Sequence, residues 1–165
     1  MAQILCFSRN RSVQVEKIDD QIMRASCRLQ DPILEAYVEI RVKLPDLEIV
    51  AVDGQVTKSL RKDQFDMPDS LKGAVGIRIG PGLKKILRGG MGKTEDQKQL
   101  TFMIEECCGG VILAFTKEVM LEVPKDKKLE KDYFHNRVKT NIRLYNSCAA
   151  FAPGSPLVEG IEPPH

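Results

Sequence analysis

The stretch Leu34-Glu-Ala-Tyr-Val-Glu-Ile-Arg-Val-Lys-Leu44 (LEAYVEIRVKL) alternates without a break. Leu34, Ala36, Val38, Ile40, Val42 and Leu44 fall on one parity, and Glu35, Tyr37, Glu39, Arg41 and Lys43 on the other. Period two places successive side chains on opposite faces of a strand, so this segment reads as a strand with one dry face and one wet face. Upstream, Met23, Ala25, Cys27 and Leu29 alternate with Arg24, Ser26, Arg28 and Gln30, and Asp31-Pro32 supplies the turn between the two runs. Val13 and Val15 indicate a strand in front, turning at Asp19 and Asp20. Downstream, past Pro45 and Asp46, another strand runs from Leu47 to about Thr57 and is broken or turned near Asp53 and Gly54. The expected unit is a four-stranded antiparallel meander over about 11–57.

A sheet with one greasy face needs a cover. From Leu100 the apolar positions are Leu100, Met103, Ile104, Cys107, Cys108, Val111, Ala114 and Phe115, a stripe at 3.6 residues per turn. The spacing predicts a long helix over about 95–121, with Thr94 as N-cap and Glu95 and Asp96 in the first turn, where acids favour the helix dipole. Gly109 and Gly110 interrupt it at about 1 kcal/mol each relative to alanine, so either another segment approaches there or the helix bends. Leu71 to Leu87 reads as short helical pieces split by Gly80, Pro81 and Gly82. Residues 124–132, Pro124 and then the charged run Lys125 to Asp132, read as an exposed loop leading into a last helix over about 131–147. The fold class is therefore α+β: one domain over 1–151, its sheet covered on one face by the long helix and smaller helices. Residues 152–165 form a Pro/Gly-rich extended tail.

Composition narrows the function classes. The chain has 165 residues, 42% of them apolar, which suits one globular core. A net charge of +2, no Trp and no long block of one sign make a poor footprint for nucleic acid, which is expected not to be a partner. The short apolar run Ile4 to Phe7 precedes Arg9 and Arg11, the reverse of an export signal. No apolar run approaches the roughly 20 residues that span a bilayer. The expectation is a cytoplasmic protein without a membrane partner, whose five cysteines (Cys6, Cys27, Cys107, Cys108 and Cys148) stay reduced.

The string Gly89-Gly-Met-Gly-Lys-Thr94 resembles a phosphate-binding loop, but the position five before Gly92 is Leu87 rather than glycine, and no buried strand precedes it. It reads as a glycine-rich corner between helices, whose Lys93 and helix-start amides could hold an anion. Cys27, Cys107 and Cys108 lie on apolar faces and read as core. Cys148 is the least explained thiol. His135, thirteen residues earlier, would lie almost 20 Å away along a helix, so that pairing requires the chain to double back. Glu105 and Glu106 read as solvated charge on the polar edge of the long helix, and Glu35 and Glu39 as solvated charge on the wet face of the sheet. With only two histidines and no C-x-x-C, no metal or cofactor is expected.

The order of these strings is also informative. Leu29-Gln30-Asp31, then Leu71-Lys72-Gly73, Gly80-Pro81-Gly82, the glycines of 89–92, a long helix and a closing Asn146-Ser-Cys-Ala-Ala-Phe151 resemble an uncharacterised bacterial family, domain of unknown function 2889, over about residues 12–158. That family's pattern has a cysteine in the loop after the sheet, a Gly-Cys-Thr-His string at the start of the long helix, and the closing cysteine. Such a set implies metal or thiol chemistry. Here 63–70 holds no cysteine, the helix start reads Gly92-Lys-Thr-Glu95, and Cys148 alone matches.

Two functional readings follow. The first is a non-catalytic accessory protein that binds a small molecule or a protein partner, with Gly90, Gly92, Lys93, Thr94 and Cys148 as candidate binding residues and no catalytic residue. The second is a thiol- or metal-handling scaffold or enzyme built on Cys148 and the Gly92–Glu95 helix start. The balance lies against an enzyme. A homodimer through the sheet edge or the long helix is compatible with either.

Overall fold

The computed structural model describes residues 5–59, 65–66, 69–91 and 94–163. Two compact units divide the chain, Met1–Ala114 and Phe115–His165.

The first unit holds an antiparallel sheet in chain order, β1 (Asn10–Lys17), β2 (Ile22–Gln30), β3 (Leu34–Lys43), β4 (Glu48–Ser59) and β5 (Phe65–Asp66). The meander is as the alternation predicts, with the two-residue β5 added at the outer edge of β4. Pairings such as Cys27 with Val38 and Ile40 with Val52 stack the dry faces in register. β4 is unbroken at Gly54, which pairs with Val38 and is buried. β4 is irregular at two other places: Ala36 pairs with Val56 but Glu35 with Lys58, leaving Thr57 extra, and Arg41 pairs with Ala51 but Val42 with Ile49, so Val50 is an extra residue bulged outward. That bulge lets odd-numbered Ile49 and even-numbered Val52 and Val56 share one face.

The dry face is covered as expected. In α2 (Glu95–Glu122), Leu100, Met103, Ile104, Cys107, Cys108 and Val111 are all buried. Thr94 caps this helix reciprocally: its Oγ1 accepts from the Gln97 amide at 3.3 Å, and its own amide donates to Gln97 Oε1 at 3.2 Å. A 3-10 turn over Asp69–Ala74 buries Leu71 and Ala74. α1 (Leu83–Gly90) buries Leu83 and Leu87 and starts from Gly82, held at φ 81°, a left-handed conformation open to glycine. Gly110 is where a neighbour approaches: a Cβ there would meet Val13 Cγ1 of β1 at 2.8 Å and Val15 Cγ2 at 3.0 Å, whereas Gly109 has nothing within 4 Å. The helix does not break at either.

Against the expectation of no span-length apolar segment, Gln97–Glu122 is long and apolar enough by length and composition to cross a membrane. A core helix has the same composition, and 44% of its most apolar window is buried within the protein.

In the second unit, α3 (Lys127–Thr140) starts four residues earlier than the charged run suggests. Asp126 serves as N-cap, accepting from the amides of Lys128 and Leu129. Phe134 packs edge-on to Tyr133 and near Phe151, and Val138 and Val158 are buried. After Asn141 the chain forms 3-10 turns at Ile142–Leu144 and Ala149–Phe151 rather than continuing the helix to 147. The segment read as an extended tail makes successive turns, with Ser155, Val158 and Ile161 amides donating to the carbonyls of Ala152, Ser155 and Val158.

Candidate functional site

The most informative polar groups in the first unit are those the fold buries. Glu105 lies next to Ile104 on the side of α2 that meets α1, so it points away from water. Its side chain is 2% exposed, against 61% for the Arg88 that pairs with it. Arg88 Nε and Nη2 each donate to one Glu105 oxygen at 2.7 Å. This corrects the reading of Glu105 as solvated charge: α1 brings a guanidinium over it, and a fork-to-fork pair satisfies both carboxylate oxygens. The carboxylate in turn holds Arg88 protonated beyond its ordinary range, through the hydrogen bonds first and the charge second.

Two further arginines converge on the same end of the sheet. Arg11 pairs with Leu29 in the ladder and has the parity of Val13 and Val15, so a charged residue sits at the end of the core-facing row. Its guanidinium lies 4.7 Å over the Phe102 ring and 3.2 Å from Glu106. Arg9 reaches Asp31, whose side chain is fully buried.

These side chains frame a cavity of about 580 Å³. Its cations are Arg9, Arg11, Arg88 and Lys98; its apolar lining is Leu29, Met91, Phe102 and Met103; Gln99, Thr101 and Glu105 complete it. That volume lies within the range of small-molecule sites. The Thr101 hydroxyl donates to the Gln97 carbonyl at 2.8 Å. A second hollow, of about 460 Å³, lies on the wet face of the sheet among Ser12, Gln14, Arg24, Arg28 and Tyr37. It has no apolar floor.

Of the residues singled out from sequence, Gly90 ends α1 and Thr94 caps α2, both exposed. Neither lines the cavity, which is reached by their neighbours Met91 and Lys98. Gly92 and Lys93 lie outside the described residues. Cys148 is exposed in the second unit, at the start of the Ala149–Phe151 turn. In that unit His135 Nδ1 lies 3.2 Å from the Leu157 carbonyl; a carbonyl only accepts, so Nδ1 is the donor. Among the described residues, no group of three or more His, Cys, Asp or Glu is placed to hold a metal ion.

The cavity cations do not stand out in the sequence because they come from three separate stretches. The available signal was Arg11, a charge on the inward parity of β1.

The core thiols are chemically quiet. Burial pushes Cys27 up to about 11 and Cys108 up to about 12, and pushes Cys107 higher still. A thiol reagent at pH 7.5 is expected to label the exposed Cys6 and Cys148 in the native protein and all five cysteines only in denaturant. Prompt native labelling of a third thiol would show that the α2 stripe is not packed as described.

No family model, curated protein or solved structure matches the chain, so the family resemblance rests on its short strings alone.

Proposed function

We propose that the chain is a non-catalytic binding module for a small molecule, held in the cavity of the first unit. The observation that carries this reading is the combination of four cationic side chains with a floor of Leu29, Met91, Phe102 and Met103 in a space of about 580 Å³. Binding rather than chemistry is supported by how its reactive groups are engaged. Glu105 is held in a two-bond fork with Arg88, and the Thr101 hydroxyl proton is directed at a backbone carbonyl. A general base or nucleophile needs a lone pair or an activated proton at the reacting centre.

The test uses 8-anilinonaphthalene-1-sulfonate, an aromatic probe whose emission rises in apolar surroundings. Native protein is expected to bind it saturably at one site, with affinity reduced about fivefold or more in Phe102→Ala and unchanged in Cys148→Ala. Phe102 is half-buried, so its truncation leaves the fully buried stripe intact. The absence of a saturable site, or a site indifferent to Phe102, would overturn the reading. Loss of binding in Cys148→Ala would favour the thiol-based alternative.

A further inference from the structure

We propose that the ligand of this cavity is an amphipathic carboxylate, with its acid head at the arginine and lysine rim and an apolar body on the methionine and leucine floor; this rests on the small-molecule reading above.

The cavity is graded from mouth to base. Side chains of Arg11, Arg88 and Lys98 are 39%, 61% and 58% exposed. Met103, Leu29 and Met91 beneath are 0%, 3% and 7% exposed as residues. The cations therefore lie at the opening, and the buried lining is hydrocarbon together with Glu105 and Thr101, whose polar atoms are engaged with Arg88 and the Gln97 carbonyl, so a ligand with an anionic and an apolar end satisfies both.

The sign of the head follows from the lining. Within the lining four cations stand beside one carboxylate, Glu105, whose oxygens both already accept from Arg88, while the carboxylates paired with Arg9, Arg11 and Lys98 do not line the cavity. A cationic head would find N–H donors in the lining and no carboxylate oxygen there that is not already paired.

A small inorganic anion is also poorly served. Arg88, Arg11, Lys98 and Arg9 each already pair with a carboxylate, from Glu105, Glu106, Glu95 and Asp31 respectively. The charge still available to an incoming anion is partial, and its removal from water is offset only weakly at an open rim. The donors that remain are the uncommitted N–H groups of these pairs. Arg88 commits Nε and Nη2 to Glu105, Arg9 Nε and Nη2 to Asp31, Arg11 approaches Glu106 through Nε, and Lys98 gives one N–H to Glu95, so each cation keeps only part of its donor set for a ligand. A carboxylate, with two oxygens and one charge, matches that supply. The apolar body then provides most of the affinity, at about fourfold per buried methylene.

The discriminating experiment is calorimetric titration of the native chain, below micelle formation, with acetate, hexanoate, octanoate and decanoate, and with decan-1-ol and inorganic phosphate. Affinity is expected to rise about threefold to fourfold per methylene along the acid series until the floor is filled. Decan-1-ol and phosphate are expected to bind at least tenfold more weakly than decanoate. The double variant Arg11→Gln/Lys98→Gln, at two exposed rim positions, is expected to weaken decanoate about tenfold and leave decan-1-ol unchanged. Phosphate or acetate binding as tightly as decanoate, decan-1-ol matching it, or a rim variant without effect would each overturn the carboxylate assignment while leaving a small-molecule site standing. If none of these compounds binds and the anilinonaphthalene probe also fails, the cavity reading itself falls.

Discussion

Replacing Asp31 by alanine is expected to lower the stability of the first unit by about 3 kcal/mol, the upper range for hydrogen bonds to a charged group. One carboxylate organises the β2–β3 connection from the inside. Oδ1 accepts from the amides of Ile33 and Leu34, each at 2.7 Å, and Oδ2 from Arg9 Nε and Nη2, each at 2.7 Å. The side chain is fully buried, while Arg9 remains half in water. Alanine would leave the Leu34 amide buried without its acceptor, and the turn would lose the side chain that mimics a backbone bend. Asparagine keeps an acceptor for the two amides and loses the charge, so its cost should be about half as large.

The same carboxylate has a definite pH signature. Burial alone would raise it, but the amides of Leu34 and Ile33 and then Arg9 outweigh burial and hold it below the ordinary carboxylate range. A group whose folded value is depressed contributes stability fully above its unfolded value, about 3.9, and loses it as pH falls toward the lower folded value. Urea unfolding of the native chain and of Asp31→Asn should therefore show a constant gap from pH 7 to pH 5 that narrows below about pH 4. A gap that persists undiminished at pH 3 would mean the carboxylate is not held ionised by these partners.

How much of this was legible in the sequence depends on whether the signal is local. The alternation of 34–44 and the stripe from Leu100 to Val111 are properties of single segments, and they locate both the sheet and its cover. The same is true of Thr94, whose cap is closed by Gln97 three residues on. The bulge at Val50 is not local, because it exists only relative to the partner strand; from within β4 it looks like a defect in alternation, and Gly54 draws suspicion instead. Glu105 shows the same limit more sharply. On a helical wheel it borders the apolar stripe and reads as an edge charge; only α1, placed across it by the chain between 83 and 90, turns it into a buried partner of Arg88 seventeen residues away. The cavity compounds several such coincidences, with lining residues from 9–11, 88–91 and 98–105 and Leu29 from β2. A glycine-rich string is conspicuous in one dimension, whereas convergent side chains are conspicuous only in three.

The two adjacent glycines of α2 should respond in opposite directions to the same substitution, which tests the packing of helix on sheet directly. At Gly109 the backbone is helical and exposed, and a methyl group added there would have nothing within 4 Å, so Gly109→Ala should stabilise by about 0.5–1 kcal/mol through helix propensity. At Gly110 the new Cβ would lie 2.8 Å from Val13 Cγ1 and 3.0 Å from Val15 Cγ2, well inside the 3.5–4.0 Å at which carbon atoms rest. Valine side chains are short and stiff at χ1, so relief requires β1 to move rather than a side chain to swing. Overpacking of this kind costs about 1–3 kcal/mol, and after the propensity gain Gly110→Ala should still lose about 1–2 kcal/mol. The pair with Val13→Ala separates this clash from a generic helix effect. Removing Val13 Cγ1 opens the nearer of the two contacts, so the double variant should be more stable than the sum of the single changes by at least about 0.5 kcal/mol, the scale of coupling between touching residues. Unfolding midpoints in urea for the four proteins measure that coupling. Additive changes, or a Gly110→Ala protein as stable as Gly109→Ala, would show that β1 does not press on this turn of the helix and that the cover over Val13 and Val15 is placed elsewhere.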